Sequence, residues 1–173
     1  ATDLYGDDLA LADVYALPYL DGPHCFCLVL ESDGKVCGYV LGTEDTVAFQ
    51  EWFYTEWWPE AAESHYERTP DDARLLEDAA DPGRMLSPHL ESYPAHLHID
   101  LLPECQGRGA GRALIEAACE LLTERGVHGV HLVAERANLG AQAFYPRVGF
   151  EAVGGDDATV TFARTLGPHP VAE

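Results

Sequence analysis

The chain has 173 residues, 47% of them hydrophobic, which is enough for one core and one domain; it contains no run of about eighteen apolar residues that could span a bilayer. Thirty acidic residues against ten basic ones, of which only Lys35 is a lysine, give a net charge of -20 and argue against nucleic acid or an anionic membrane surface as partner. The opening Ala-Thr-Asp-Leu-Tyr-Gly-Asp-Asp lacks the pattern of a signal peptide, so a cytoplasmic protein is expected.

Apolar runs at 24–31 and 35–43, joined by Ser32-Asp33-Gly34, predict a β-hairpin. An aromatic-rich helix is predicted over 47–58, ending at Pro59, with further helices around 60–67 and 71–79, so that 46–94 forms a helical insertion between sheet strands. Asp81-Pro82-Gly83 marks a turn, and Ser87-Pro88 and Tyr93-Pro94 mark a loop into a strand at 95–102. On that strand His96, His98 and Asp100 alternate and share one face, and a polar face needs partners. The stretch 110–125 carries Leu114, Ala118, Leu121 and Leu122 on one side and Arg112, Glu116, Glu120 and Glu124 on the other, which makes a sheet-packed helix closed by Gly126. A strand at 127–134, a helix opening at Asn138, and strands at 150–153 and 159–165 complete a single α/β domain, with 167–173 as a flexible tail.

Cys25, Cys27, Cys37, Cys105 and Cys119 form an odd set without a Cys-x-x-Cys pair and read as reduced, structural thiols. The chemistry is concentrated between the strand at 95–102 and the helix at 110–125. There Gln106-Gly107-Arg108-Gly109-Ala110-Gly111-Arg112 places three glycines in a strand-to-helix turn. Such a turn lets backbone approach a ligand closely, and the unpaired N–H groups of the helix start face an anion, so the stretch reads as a pyrophosphate cradle with Arg108 and Arg112 adding positive charge. It lacks the Lys-Ser/Thr of a P-loop and the spacing of a dinucleotide fingerprint.

Gln106-x-x-Gly109-x-Gly111 resembles the (Gln/Arg)-x-x-Gly-x-(Gly/Ala) motif of the GNAT superfamily of N-acetyltransferases, and Asn138-x-x-Ala141-x-x-Phe144-Tyr145-x-x-x-Gly149-Phe150 resembles its motif B. The resemblance implies the GNAT fold, with acetyl-CoA as co-substrate bound by the cradle 106–112. The main chain of Ile99, Asp100 and Leu101 would pair with the pantetheine amides, the Leu101 N–H would polarise the acetyl carbonyl, Asn138 would touch the pantetheine arm, and Tyr145 would be the acid for the leaving thiolate. A domain of this family ordinarily opens with a strand and a helix before the region of Pro18, so these are expected to be missing. Pro18-Tyr19-Leu20, Cys37-Gly-Tyr-Val-Leu-Gly-Thr-Glu-Asp45, and Phe49-x-x-Trp52 with Trp57-Trp58-Pro59 look like the acetyltransferase-like domain of eukaryotic O-GlcNAc hydrolases, and more closely like its stand-alone bacterial homologues. The eukaryotic domains have a degraded phosphate turn, whereas Gln106, Gly109 and Gly111 are intact here.

Direct attack on a thioester requires a neutral amine, a polarised carbonyl and a proton donor for sulfur. Asp100 is the first candidate base and His98 the second, although the resemblance puts the family's usual base nearer Ala95 or Leu97. His96, His98 and Asp100 could instead ligate a metal, but ligands normally converge from several elements, and no metal is expected. Trp52 and Trp57, with Asp45 or Asp100, could wall a pocket for a cationic amine, which the acidic chain would favour; such an aromatic stripe on a helix is more often core. Two functions stay open: an acetyl-CoA:amine N-acetyltransferase, or a non-catalytic acyl-CoA-binding or interaction module. A homodimer is compatible with either.

Overall fold

The computed structural model describes residues 5–7 and 9–167. Two short helices, α1 (Ala10–Tyr15) and α2 (Pro18–Asp21), lead into the hairpin β1 (Cys25–Ser32) and β2 (Lys35–Thr43). Asp33 and Gly34 both take positive φ, +52° and +76°, the left-handed pair that matches the twist of a tight hairpin. Among the described residues the two helices α1 and α2, and no strand, precede β1.

Helix α3 (Thr46–Trp52) opens on Asp45, whose side chain accepts from the N–H groups of Val47 and Ala48. The predicted stop at Pro59 does not occur. A π-turn at Phe53–Trp57 carries the chain into α4 (Trp58–Ala61), where Pro59 stands in the first turn and its missing N–H costs nothing. The widened turn buries both Phe53 and Trp58, which stack with centroids 5.9 Å apart. Helix α5 (Pro70–Ala80) begins with a Thr69/Asp72 capping box, and the buried Asp72 carboxylate also accepts from the N–H groups of Gly6 and Arg68. His65 lies between Asp7 (3.0 Å) and Asp13 (3.1 Å) and ties α1 to the end of the α4 segment.

Strand β3 (Ala95–Leu101), helix α6 (Ala110–Glu124), strand β4 (Gly129–Glu135), helix α7 (Leu139–Phe144), and strands β5 (Glu151–Gly155) and β6 (Thr159–Thr165) follow. The six strands lie in the order β1-β2-β3-β4-β6-β5, antiparallel throughout except for the parallel pair β3–β4. Alternation along each strand sends side chains to opposite layers. Ala95, Leu97, Val130, Leu132 and Ala134 join Ile115, Leu122 and Phe150 beneath α6, while Tyr19, Leu41, Phe49, Phe53 and Leu75 form a second core under α1–α5. No helix among the described residues is long and apolar enough to cross a membrane. The tail expected over 167–173 lies, from residue 168 onward, outside the described residues.

One cysteine reading needs correction. Cys37 and Cys105 are joined in a disulfide, with Cα atoms 6.3 Å apart, while Cys25, Cys27 and Cys119 remain free. The pairing follows from antiparallel β2–β3 contact, which brings together positions 68 residues apart. No local spacing motif announces such a contact.

Candidate functional site

Beyond β3 the chain makes a 3-10 turn at Pro103–Cys105, held by Leu102 N–H donating to Cys37 O at 2.8 Å and by the disulfide. Gly107 (φ +72°) and Gly109 (φ +84°) then adopt the left-handed conformation, and Gly109 is the N-cap of α6. A Cβ at either glycine would meet nothing within 4 Å, so the concave side of the turn is open. Gly111 serves packing, since a Cβ there would lie 3.2 Å from the Phe144 ring. Gln106 does not point outward but donates from Nε2 to Leu101 O at 3.0 Å, bracing the turn against the strand it leaves. Of the two cradle arginines, Arg112 donates to Arg147 O at 2.6 Å, whereas Arg108 is exposed and lines a cavity of about 340 Å³ with Gly109, Ala110 and Cys105. The first N–H groups of a fifteen-residue helix, the exposed Arg108 guanidinium and two open glycines together suit a diphosphate.

The turn sits at the end of a gap in the sheet. Parallel pairing of β3 and β4 is limited to Ala95–Val130 and His96–His131, after which the strands part. The main-chain groups of the alternate residues Ile99 and Leu101 therefore face the gap, while those of Asp100 between them turn to Tyr39 of β2. Unpaired strand edges of this kind bind an extended amide chain by continuing the ladder. Tyr145, at the end of α7, is 9% exposed and packed among Phe144, Phe150 and Phe162 on the α6 side; burial pushes its hydroxyl up to about 12, so it stays protonated. Asn138 caps α7, its Oδ1 accepting from Ala141 N–H at 3.0 Å, which leaves the NH₂ group as its free donor.

Across the sheet lies a cavity of about 590 Å³ whose walls include Tyr15, Tyr19, Arg84, His96, His98 and His131. Leu97 and Leu132 also line it, although their side chains belong to the α6-side core. The floor of the cavity is thus the gap between β3 and β4. Tyr19 Oη lies 2.6 Å from His96 Nε2 and 2.9 Å from His98 Nε2, His96 Nδ1 lies 2.9 Å from Thr46 Oγ1, and His131 Nδ1 lies 2.9 Å from Tyr93 O. The Arg84 guanidinium lies 4.4 Å from the Phe53 ring centre.

Burial holds all three imidazoles below the ordinary histidine value; Arg84 and neighbouring rings add to this at His96 and His98, whereas at His131 the backbone hydrogen bonds of Tyr93 and Ala95 partly oppose it, and for His98 the value falls to about 4. An imidazole with a depressed folded pKa is neutral in the fold and protonated in the unfolded chain, so stability is complete above the unfolded value of about 6.5 and declines as the pH falls toward 4. His98 alone is expected to remove about 3 kcal/mol over that window. Urea unfolding at pH 7.5 and pH 4 measures it; a loss below about 1 kcal/mol would mean that the rings are solvated in the fold.

The structure gathers His98 with the gap but leaves other candidates apart. Asp100 is exposed near the end of β3, opposite Tyr39 and outside the cavity. Asp45 is spent as a helix cap, and Trp52 and Trp57 pack in the α1–α5 core, where Trp57 Nε1 donates to Asp13 O. Ala95 and Leu97, at the family's usual base positions, face the α6 side. Tyr15, Tyr19, Thr46, Arg84 and His131 escape a reading of the sequence because they come from five different segments with no shared motif.

Comparison with known proteins agrees with this geometry. The model of the Acetyltransferase (GNAT) family matches residues 3–150. Mycothiol acetyltransferase of Arthrobacter sp. (strain FB24) is 33% identical over 98 residues, covering 45% of this chain and 30% of that protein, so the chain matches less than a third of that relative's length. The crystal structure of SsHAT superposes with a TM-score of 0.85 at 39% identity, covering 95% of this chain and 84% of that one. A Bacillus anthracis str. Ames acetyltransferase in complex with acetyl coenzyme A shares the fold at a TM-score of 0.55 and 14% identity, covering 86% of this chain and 66% of that one.

Proposed function

The chain belongs to the acetyltransferase (GNAT) family, whose acyl donor is acetyl-CoA, and on that premise we propose that it acetylates an amine that arrives as a cation, gives its first proton to solvent and attacks directly in its neutral form, with His98 as base for the second proton and Tyr145 as acid. The observation that carries this reading is the cavity floor. It opens into the β3–β4 gap, so a group held on the histidine face can meet one held on the α6 face.

Acetyl-CoA supplies an activated thioester when bound. The α6 N-terminus and Arg108 hold its diphosphate, and the β3 edge from Ile99 to Leu101 pairs with its amide arm. The Leu101 N–H polarises the acetyl carbonyl. His98 takes the proton that the amine loses as its nitrogen bonds to the carbonyl carbon, and Tyr145 gives its proton to the sulfur as the carbon–sulfur bond breaks. Asp78, Asp81 and Asp156 at the cavity mouth favour a cationic acceptor.

The test is thiol release from acetyl-CoA with primary amines ranging from polyamines to basic peptides. Amine-dependent release with an N-acetyl product is expected. Acetyl-CoA binding with no release for any amine would instead support the non-catalytic acyl-CoA-binding module that the O-GlcNAc hydrolase resemblance allows.

A further inference from the structure

We propose that Thr46, His96 and Tyr19 form a one-way hydrogen-bond chain that fixes His98 with its proton on Nε2 and leaves Nδ1 as a bare lone pair. The inference rests on the reading of His98 as base, and it assigns three positioning residues to that reaction.

The direction of the chain follows from counting protons. Pro94 O accepts from Thr46 N–H at 2.9 Å and lies 2.6 Å from Thr46 Oγ1. A carbonyl oxygen only accepts, so the single hydroxyl proton of Thr46 goes to it. Thr46 Oγ1 can then only accept from its other neighbour, His96 Nδ1, at 2.9 Å, which places the His96 proton on Nδ1. His96 is 6% exposed, has no carboxylate partner among the described residues and is held neutral by burial, so it carries one proton and presents a lone pair at Nε2. Tyr19 Oη, 2.6 Å away, donates its only proton there. That oxygen can then only accept from His98 Nε2 at 2.9 Å, and the His98 proton is located.

Running the chain the other way would leave the 2.6 Å contact between Thr46 Oγ1 and Pro94 O without a proton between two oxygens. The far end of the chain therefore sets the polarity. Among the described residues no hydrogen bond reaches His98 Nδ1, and the ring lines the cavity. A base needs a lone pair facing the acceptor, and the opposite tautomer would present an N–H instead. Tyr15, whose ring centre lies 6.0 Å from that of His98, forms the adjacent wall. Thr46 is buried outside the cavity lining, and His96, although part of that lining, has both ring nitrogens engaged by Thr46 and Tyr19, so the two act on the reaction only through Tyr19 and His98.

The experiment is long-range ¹H–¹⁵N correlation of histidine side chains in the full chain at pH 7.5, with His98 and His96 assigned by loss of signal in His98→Gln and His96→Gln. His98 is expected with a bare Nδ1 and a protonated Nε2, and His96 with the opposite tautomer. Thr46→Val removes the acceptor for the His96 proton and is expected to move the His98 proton to Nδ1, lowering kcat at least about tenfold with acetyl-CoA affinity unchanged, while Thr46→Ser restores both. Tyr19→Phe, which deletes the bridging oxygen, gives mixed His98 tautomers and tests the same chain if Thr46→Val does not fold. A wild-type His98 protonated on Nδ1, or one whose tautomer ignores both substitutions, overturns the proposal. The tautomer is read whether or not any amine is acetylated, so failure of the relay and failure of the acetyl-transfer reading are separate results.

Discussion

His98→Ala is expected to lower kcat for amine acetylation by about 10²–10⁴, the range for losing a positioned general base, while leaving the affinity for acetyl-CoA within about twofold. The separation arises because the imidazole lies on the histidine face of the sheet and the diphosphate cradle lies at the start of α6 on the other. Truncation does not strand its partner. Tyr19 Oη keeps its 2.6 Å contact with His96, so the cost in stability is that of one buried hydrogen bond, about 1 kcal/mol. The same substitution removes one of the three neutral imidazoles, and acid denaturation is expected to shift to lower pH. Steady-state kinetics beside calorimetry with acetyl-CoA measure both quantities. His131 provides the decisive comparison, since it lies on β4 where the strands part and lines the same cavity. If His131→Ala costs more in kcat than His98→Ala, the base is His131.

Gly109→Asp is expected to weaken acetyl-CoA binding by a factor on the order of 10³. Two unit charges 4 Å apart interact by about 4 kcal/mol at an effective dielectric of 20, and a carboxylate at the N-cap of α6 would stand where the diphosphate is held. Left-handed backbone at φ +84° adds a cost of about 1–2 kcal/mol for any L side chain. That second cost falls on the fold, not on the ligand. Gly109→Ala separates the two, because it carries the strain without the charge and has open space around its Cβ. It is expected to bind within about tenfold of the wild type. Equal loss of affinity in both variants, measured by calorimetry on folded protein, would show that the turn's conformation matters and that no anion is held there.

The cradle and the secondary structure were legible because each depends on neighbours in sequence. Three glycines in five residues between an apolar strand and an amphipathic helix define a turn by their φ angles alone, and Gly107 and Gly109 take those angles. Alternation placed His96, His98 and Asp100 on one face, and the folded strand keeps them opposite the Ala95–Leu97 core face. Local signals misled where a residue had two uses. Pro59 looked like a stop, yet it fits the first turn of α4 after a π-turn. Asp45 and Asn138 both cap helices, since a short carboxylate or carboxamide satisfies the nearest orphan N–H, and the cap uses only the Oδ1 of Asn138.

By itself, the sequence determined the α/β character, the family motifs, the glycine cradle and the face on which His98 lies, all of which follow from spacings of two to seven residues. Tertiary structure decided which polar groups of that face meet at the gap. It drew Tyr19 from α2, Thr46 from α3 and His131 from β4 to one gap, left Asp100 exposed, and joined Cys37 to Cys105. The physical reason is that a proton's position depends on the whole set of donors and acceptors within about 3 Å of it, and folding brings those groups together from segments some 80 residues apart.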